Sequence, residues 1–182
     1  MPRLFISLNC NEQTKNLLVS VQEMIRAQSV KGNFSRPENL HLTLVFIGET
    51  PAEQVPVLCQ VIDESVGLAV KLFQLAFSRA GCFRQSDREL WWLGVEQKDP
   101  GLRDLNELRQ RLTDVLSAKG FAFDAKQFKA HITLGREIKP KTQIKIPEQR
   151  IIFPVNRVSL MKSERINSVL VYSEIFGKDL SI

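Results

Sequence analysis

The chain alternates short, strongly apolar runs with longer segments whose apolar residues recur at helical spacing. Residues 4–8 (Leu-Phe-Ile-Ser-Leu) read as a strand. Leu17, Leu18, Val21, Met24 and Ile25 then recur every three or four positions. They predict an amphipathic helix over 11–29, with Asn9 or Asn11 placed to cap its start. Gly32 and the stretch Arg36-Pro37-Glu38-Asn39 read as a connection, and 40–47 as a strongly apolar strand ending at Gly48. A second helix is expected from Pro51 to about Gly67, starting late or distorted because Pro56 falls in its early part. Strand character follows over 70–77, a polar loop over 81–89 and a further strand over 90–95. Leu102, Leu105, Leu108, Leu112, Val115 and Leu116 mark a third helix, opened by Pro100-Gly101 and closed by Gly120. A strand over 130–135, an exposed loop over 139–149 and two strands over 155–161 and 168–176, joined by a turn at 162–167, complete the order.

Two of the apolar strands carry one pattern. The first reads His41-Leu42-Thr43-Leu44 and the second His131-Ile132-Thr133-Leu134, and these take up both histidines of the chain. Alternate side chains of a strand share a face, so each histidine stands with its threonine, and the aliphatic residues between them point to a core. With the strand and helix order, the repeat predicts an α+β fold. It is bilobal, with two pseudo-symmetric lobes, each built of a mostly antiparallel sheet and helices. No linker or low-complexity tract divides residues 1–182, so a single domain is expected.

A lone His-Leu-Thr-Leu on a strand is ordinarily structural, with threonine there for its β propensity. Two copies that exhaust the histidines point instead to matched imidazole–hydroxyl pairs facing one site. An imidazole titrates near neutrality, so one ring can accept a proton while its twin donates one. The threonine hydroxyls can hold non-bridging phosphate oxygens through a transition state. That combination suits displacement at a cyclic phosphodiester, whose strained ring needs no metal to open.

Charge and cysteine content narrow the reading. A net charge of +5 favours an anionic partner. Lys126, Lys129, Arg136, Lys139, Lys141, Lys145 and Arg150 form either a solvated loop or a surface that attracts nucleic-acid phosphates. Cys10, Cys59 and Cys82 are three and widely spaced, which argues against a disulfide framework or zinc knuckle and for buried free thiols. Two histidines and no cysteine pair leave a metal site short of ligands, so none is expected. No apolar run approaches ~20 residues, and the N-terminus lacks the core of a signal peptide, so a cytoplasmic protein away from membranes is expected.

The segments Arg36-Pro37-Glu38-Asn39-Leu40-His41-Leu42-Thr43-Leu44-Val45-Phe46-Ile47-Gly48 and Phe128-Lys129-Ala130-His131-Ile132-Thr133-Leu134-Gly135-Arg136 resemble the 2H phosphoesterase superfamily. The branch they resemble most is the RNA 2′,3′-cyclic phosphodiesterases, also called 2′-5′ RNA ligases. The resemblance runs over essentially the whole chain and includes Arg3-Leu4-Phe5-Ile6 and Leu90-Trp91-Trp92-Leu93-Gly94-Val95. It implies the two motifs facing each other across a cleft. It also implies cofactor-independent hydrolysis of RNA ends or nucleotides bearing a 2′,3′-cyclic phosphate, by a monomer. By this resemblance His41 is the proton donor and His131 the acceptor, Arg136 contacts phosphate or ribose, and Phe46 packs on the terminal base. Strict alternation sets Phe46 opposite His41, so that role requires a bend or bulge before Gly48. Ala130 stands where many relatives have proline, and Phe176-Gly177-Lys178-Asp179-Leu180 replaces a tyrosine-bearing turn. A binding module without turnover and a cyclic phosphodiesterase for a small nucleotide are the alternatives.

Overall fold

The computed structural model describes residues 1–67, 70–124 and 127–181; Lys126 lies outside the described residues. The elements run β1 (Arg3–Asn9), α1 (Glu12–Ala27), β2 (Ser29–Phe34), β3 (His41–Glu49), α2 (Val55–Val66), β4 (Phe73–Gln85), β5 (Arg88–Val95), α3 (Gly101–Ala118), β6 (His131–Pro140), β7 (Ile151–Val155), β8 (Arg157–Ile166) and β9 (Val169–Asp179). Asn11 caps α1, its side chain accepting from the Thr14 amide at 2.8 Å. A 3-10 turn at Ala52–Gln54 precedes α2, so the helix starts late and Pro56 falls in its first turn, where no amide partner is lost.

All nine strands join one antiparallel sheet in the order β7-β4-β5-β6-β3-β1-β8-β9, with β2 also on β6. The two lobes are therefore halves of a continuous curled sheet, meeting where β3 lies beside β6. One half combines β1 and β3 with the C-terminal β8 and β9. The other is built of β4, β5, β6 and β7 plus β2. Helices α1 and α3 pack on the sheet across from the motif histidines, α1 against β2, β6 and β7 and α3 against β3 and β4; α2 lies between α3 and the β8–β9 pair. Leu18, Val21 and Ile25 of α1 and Leu105, Leu108 and Leu112 of α3 are buried with Leu42, Leu44, Ile132 and Leu134. Each such side chain contributes roughly 1.5–3 kcal/mol.

Three segments depart from the sequence expectation, and a fourth is a strand where no element was expected. The polar stretch 81–89 is a β-hairpin, with β4 running to Gln85 and reversing through Ser86-Asp87 into β5. The connection expected around Gly32 is β2, an edge strand paired with the end of β6. The turn at 162–167 shrinks to Asn167-Ser168, both at positive φ, a tight reversal that asparagine favours. The fourth is β7, an outermost strand whose Pro154 is tolerated because the far side of that strand needs no partner. The first three lie on hairpins or a sheet margin, where water replaces a core and apolar alternation fades; β7 instead alternates, with Ile151, Phe153 and Val155 buried. Cys10 is buried and its thiol pushed up to about 12 by that burial, against the pull of Lys15. Cys59 and Cys82 are free but only partly buried.

Candidate active site

His41 is the first residue of β3 and His131 the first of β6. The two strands are antiparallel neighbours with Leu42 opposite Ile132. Pairing at the central apolar residue sets the motifs head to tail about a local two-fold axis, each histidine toward the threonine of the other strand. His41, Thr43, Phe46, His131, Thr133 and Arg136 all line one cavity of about 580 Å³.

Phe46 and Arg136 reach that cavity through a matched irregularity. Against β1, Thr43 pairs with Ser7 and Val45 with Ile6, which leaves Leu44 as an extra residue. Against β5, Thr133 pairs with Trp92 and Gly135 with Trp91, which leaves Leu134 as an extra residue. Leu44 and Val45 are consecutively buried, as are Leu134 and Gly135, so the alternation slips by one in both strands. The slip returns the residue five positions after each histidine to the histidine's own face. The bend required for Phe46 is present, and Arg136 is its counterpart in the other strand.

Each imidazole is held in the same way. His41 Nδ1 lies 2.7 Å from the Asn39 carbonyl and His131 Nδ1 lies 2.6 Å from the Lys129 carbonyl, two residues upstream in both cases. A carbonyl only accepts, so Nδ1 carries the proton in both rings and Nε2 is left for the cavity. The Thr43 hydroxyl donates to His41 Nε2 at 2.9 Å in the neutral ring. His131 Nε2 has no partner among the described residues.

The surroundings of the two rings differ. Phe5 and Tyr172 enclose His41, with ring centroids at 4.9 and 5.2 Å. Burial pushes His41 down to about 4; the bond to the Asn39 carbonyl opposes this, while Arg136 and His131 push it further down. Among the described residues His131 meets one aromatic neighbour, Trp92, at 6.2 Å. Asn39 also ties the neighbouring strand to the site. Its side-chain amide donates to the Leu170 carbonyl and its oxygen accepts from the Tyr172 amide.

Sequence reasoning missed Phe5, Asn39, Tyr172, Ser163 and Arg165, all lining the cavity from β1, β8, β9 and the turn before β3. One signal was available. Tyr172 is the single tyrosine of the chain.

The fold and the paired motifs define a 2H phosphoesterase. The chain belongs to the 2′-5′ RNA ligase superfamily, whose model matches residues 16–167. A Thermotoga maritima protein named RNA 2′,3′-cyclic phosphodiesterase is 31% identical over 135 residues, covering 74% of this chain and 69% of that protein. An Archaeoglobus fulgidus protein of the same name is 29% identical over 136 residues, 74% of this chain and 72% of its own. Among solved structures, apo E. coli LigT superposes with a TM-score of 0.78 over 100% of this chain and 99% of its own, at 24% identity. A Thermus thermophilus protein, TT0787, gives 0.77 over 98% and 97%, at 28% identity.

Proposed function

We propose that this protein hydrolyses the 2′,3′-cyclic phosphodiester at RNA ends to a 2′-phosphomonoester, without a metal ion, by proton transfer through His41 and His131. The observation that carries this reading is the pair of imidazoles with Nδ1 bound to backbone carbonyl and Nε2 turned to one cavity. The names of the Thermotoga maritima and Archaeoglobus fulgidus relatives point to the same substrate.

In this mechanism neutral His131 takes a proton from water through Nε2, and the oxygen attacks phosphorus. The bond to the 3′ oxygen breaks, and that oxygen takes the proton from Nε2 of His41. The 2′ ester remains. His41 is neutral near pH 7 in the free protein, so it acquires its proton with the substrate, whose anionic phosphate supplies the missing countercharge. Thr43 and Thr133 donate to the non-bridging oxygens, Arg136 balances their charge, and Phe46 packs on the terminal base. The same chemistry with a 5′-hydroxyl in place of water opens the ring to a 2′-5′ bond.

The test is hydrolysis of a short RNA bearing a 2′,3′-cyclic phosphate in EDTA, with the product's phosphate position read by chromatography. Wild type yields the 2′-phosphate, and His41→Ala and His131→Ala each lower kcat on the order of 10²- to 10⁴-fold. No turnover on this RNA or on nucleoside cyclic phosphates overturns the reading and leaves a nucleotide-binding module.

A further inference from the structure

The cavity accounts for one nucleotide and its phosphate, but the sheet surface beside His131 continues outward as an aromatic row. Trp92 stands across from Thr133 on the next strand, its ring centroid 6.2 Å from that of His131. Phe83 follows on β4, with its centroid 5.7 Å from that of Trp92. Phe83 is 44% exposed, an unusual place for a phenylalanine on an otherwise polar hairpin.

The indole is laid down by glycine. A Cβ on Gly81 would stand 2.4 Å from Trp92 Cζ2, and one on Gly94 would stand 2.9 Å from Cζ3. With no side chain on either neighbour, the ring lies half-buried against the backbones of two strands, on the sheet face that carries His131 and Thr133. The row therefore has a rigid floor at Trp92 and an exposed end at Phe83.

Cations border it. Lys129 Nζ stands 5.7 Å from the centre of the Phe83 ring, and Arg79 pairs with Gly94 and so shares the face of Trp92. Neither has an acidic partner among the described residues, and nor does Arg136. On the opposite wall Arg36 is paired with Glu38 at 2.7 Å, and Arg165 donates to the Ser168 carbonyl at 3.2 Å. Arg165, and Arg3 over the Phe46 ring, have no acidic partner among the described residues either, so cations free of carboxylates border the cleft on both sides, and Lys129 and Arg79 are those beside the row.

An exposed phenylalanine and a half-buried indole flanked by free cations, next to a phosphate site, match what a single-stranded nucleic acid offers: π-faces strung on an anionic backbone. We infer that the Phe83–Trp92 row is a second nucleobase subsite, which stacks the penultimate base of the RNA strand whose end enters the cavity. Lys129 and Arg79 hold the phosphates that lead to it. The inference rests on the proposed RNA-end activity and adds a preference within it. A dinucleotide ending in a cyclic phosphate is a better substrate than a nucleoside cyclic phosphate, and the row is the reason.

The experiment compares kcat/KM for a nucleoside 2′,3′-cyclic phosphate, a dinucleotide ending in one, and the same dinucleotide with an abasic penultimate residue. Wild type, Phe83→Ala and Lys129→Ala are measured, with thermal unfolding to register fold. Wild type prefers the intact dinucleotide over the mononucleotide by on the order of tenfold. Phe83→Ala removes most of that ratio, the abasic dinucleotide loses it on wild type, and the two losses do not add. Lys129→Ala lowers the ratio and flattens its dependence on salt. An unchanged ratio in Phe83→Ala, or no preference in wild type, overturns the subsite while leaving the activity in place. A wild type that turns over none of the three overturns the activity itself, and the subsite with it.

Discussion

Leu44 and Leu134 hold the same place in two strands: each is the extra residue of a bulge three positions after a catalytic-motif histidine, and each has its carbonyl held by a helix side chain. Arg109 of α3 donates to the Leu44 carbonyl at 3.2 Å, and Gln22 of α1 donates to the Leu134 carbonyl at 2.7 Å. A bulge breaks the ladder and leaves a backbone group to be satisfied elsewhere. Here the helix beneath supplies a donor at both places, beside the Ser35 amide that also reaches the Leu134 carbonyl at 2.9 Å. The contact that completes the hydrogen bonding also fixes where the strand slips, and so fixes which face Phe46 and Arg136 occupy.

Replacing these donors tests that link. Gln22 is 3% exposed and bonds both the Ser35 and the Leu134 carbonyls. Gln22→Leu takes a donor from the Ser35 carbonyl at a cost of about 1–3 kcal/mol, while the Leu134 carbonyl keeps the Ser35 amide at 2.9 Å. At about 2–4 °C per kcal/mol for a chain of this size, Tm falls by several degrees or more. Arg109 is less buried and also lies over the Phe128 ring at 4.7 Å, so Arg109→Met, which keeps the apolar contact, costs less. Calorimetry reads the order of the two. In both variants kcat drops further than thermal stability alone explains, because the residues five positions past the histidines lose their fixed direction.

How much of this was legible in the sequence differs by element. The three helices and both motif strands were, because each buries one face and shows its period. The pairing of His41 with Thr43, and of His131 with Thr133, followed from strand alternation. The bulges did not follow: Leu44-Val45 and Leu134-Gly135 are plain apolar pairs in sequence, and only the register with β1 and β5 reveals the slip. The need for one near Phe46 could be stated, but its twin at Leu134 could not. Tyr172 and Phe5 were hidden for a different reason. They are brought to His41 by pairing between the first strands and the last, contacts across more than 130 residues that no local pattern records.

The neutral state of His41 gives a pH dependence with a definite sign. Its folded value, about 4, lies below the ordinary 6.5, so between these limits the unfolded chain binds more protons than the folded one. The contribution is present in full above about pH 6.5 and is lost as pH falls toward 4, amounting to at most on the order of 3 kcal/mol. Wild type therefore loses more Tm than His41→Asn on going from pH 7.5 to 4.5. In NMR titration the His41 ring has its midpoint far below 6.5 in the free protein and moves upward when inorganic phosphate is added. A midpoint near 6.5 in the free protein contradicts the burial argument.

Arg136 acts on that titration from a distance. Its charge depresses His41, so Arg136→Met raises the His41 midpoint even as it weakens phosphate binding. Two effects of opposite consequence are expected together: a higher KM for cyclic phosphate substrates, and a free-protein His41 that protonates more easily. Arg136→Lys retains the depression of His41 but not the forked geometry, so it separates the two. If Arg136→Lys restores KM as well, the arginine contributes charge alone.

The two threonines are equivalent by position but not by bonding, and they are expected to respond differently. The Thr43 hydroxyl is spent on His41 Nε2 in the free protein and must turn to phosphate when that ring is protonated. Thr133 has no such bond to its own histidine among the described residues, and its hydroxyl is free to meet substrate at once. Losing either donor to a phosphoryl transition state costs on the order of 10²–10³ in kcat. Thr43→Val also removes the hydroxyl that holds the neutral His41 ring, so its kcat/KM profile shifts along the pH axis, whereas Thr133→Val lowers the profile without moving it. Steady-state kinetics of the two valine variants from pH 4.5 to 8.5 decide the matter. Parallel profiles for both would mean that the Thr43 hydroxyl does not govern the His41 proton.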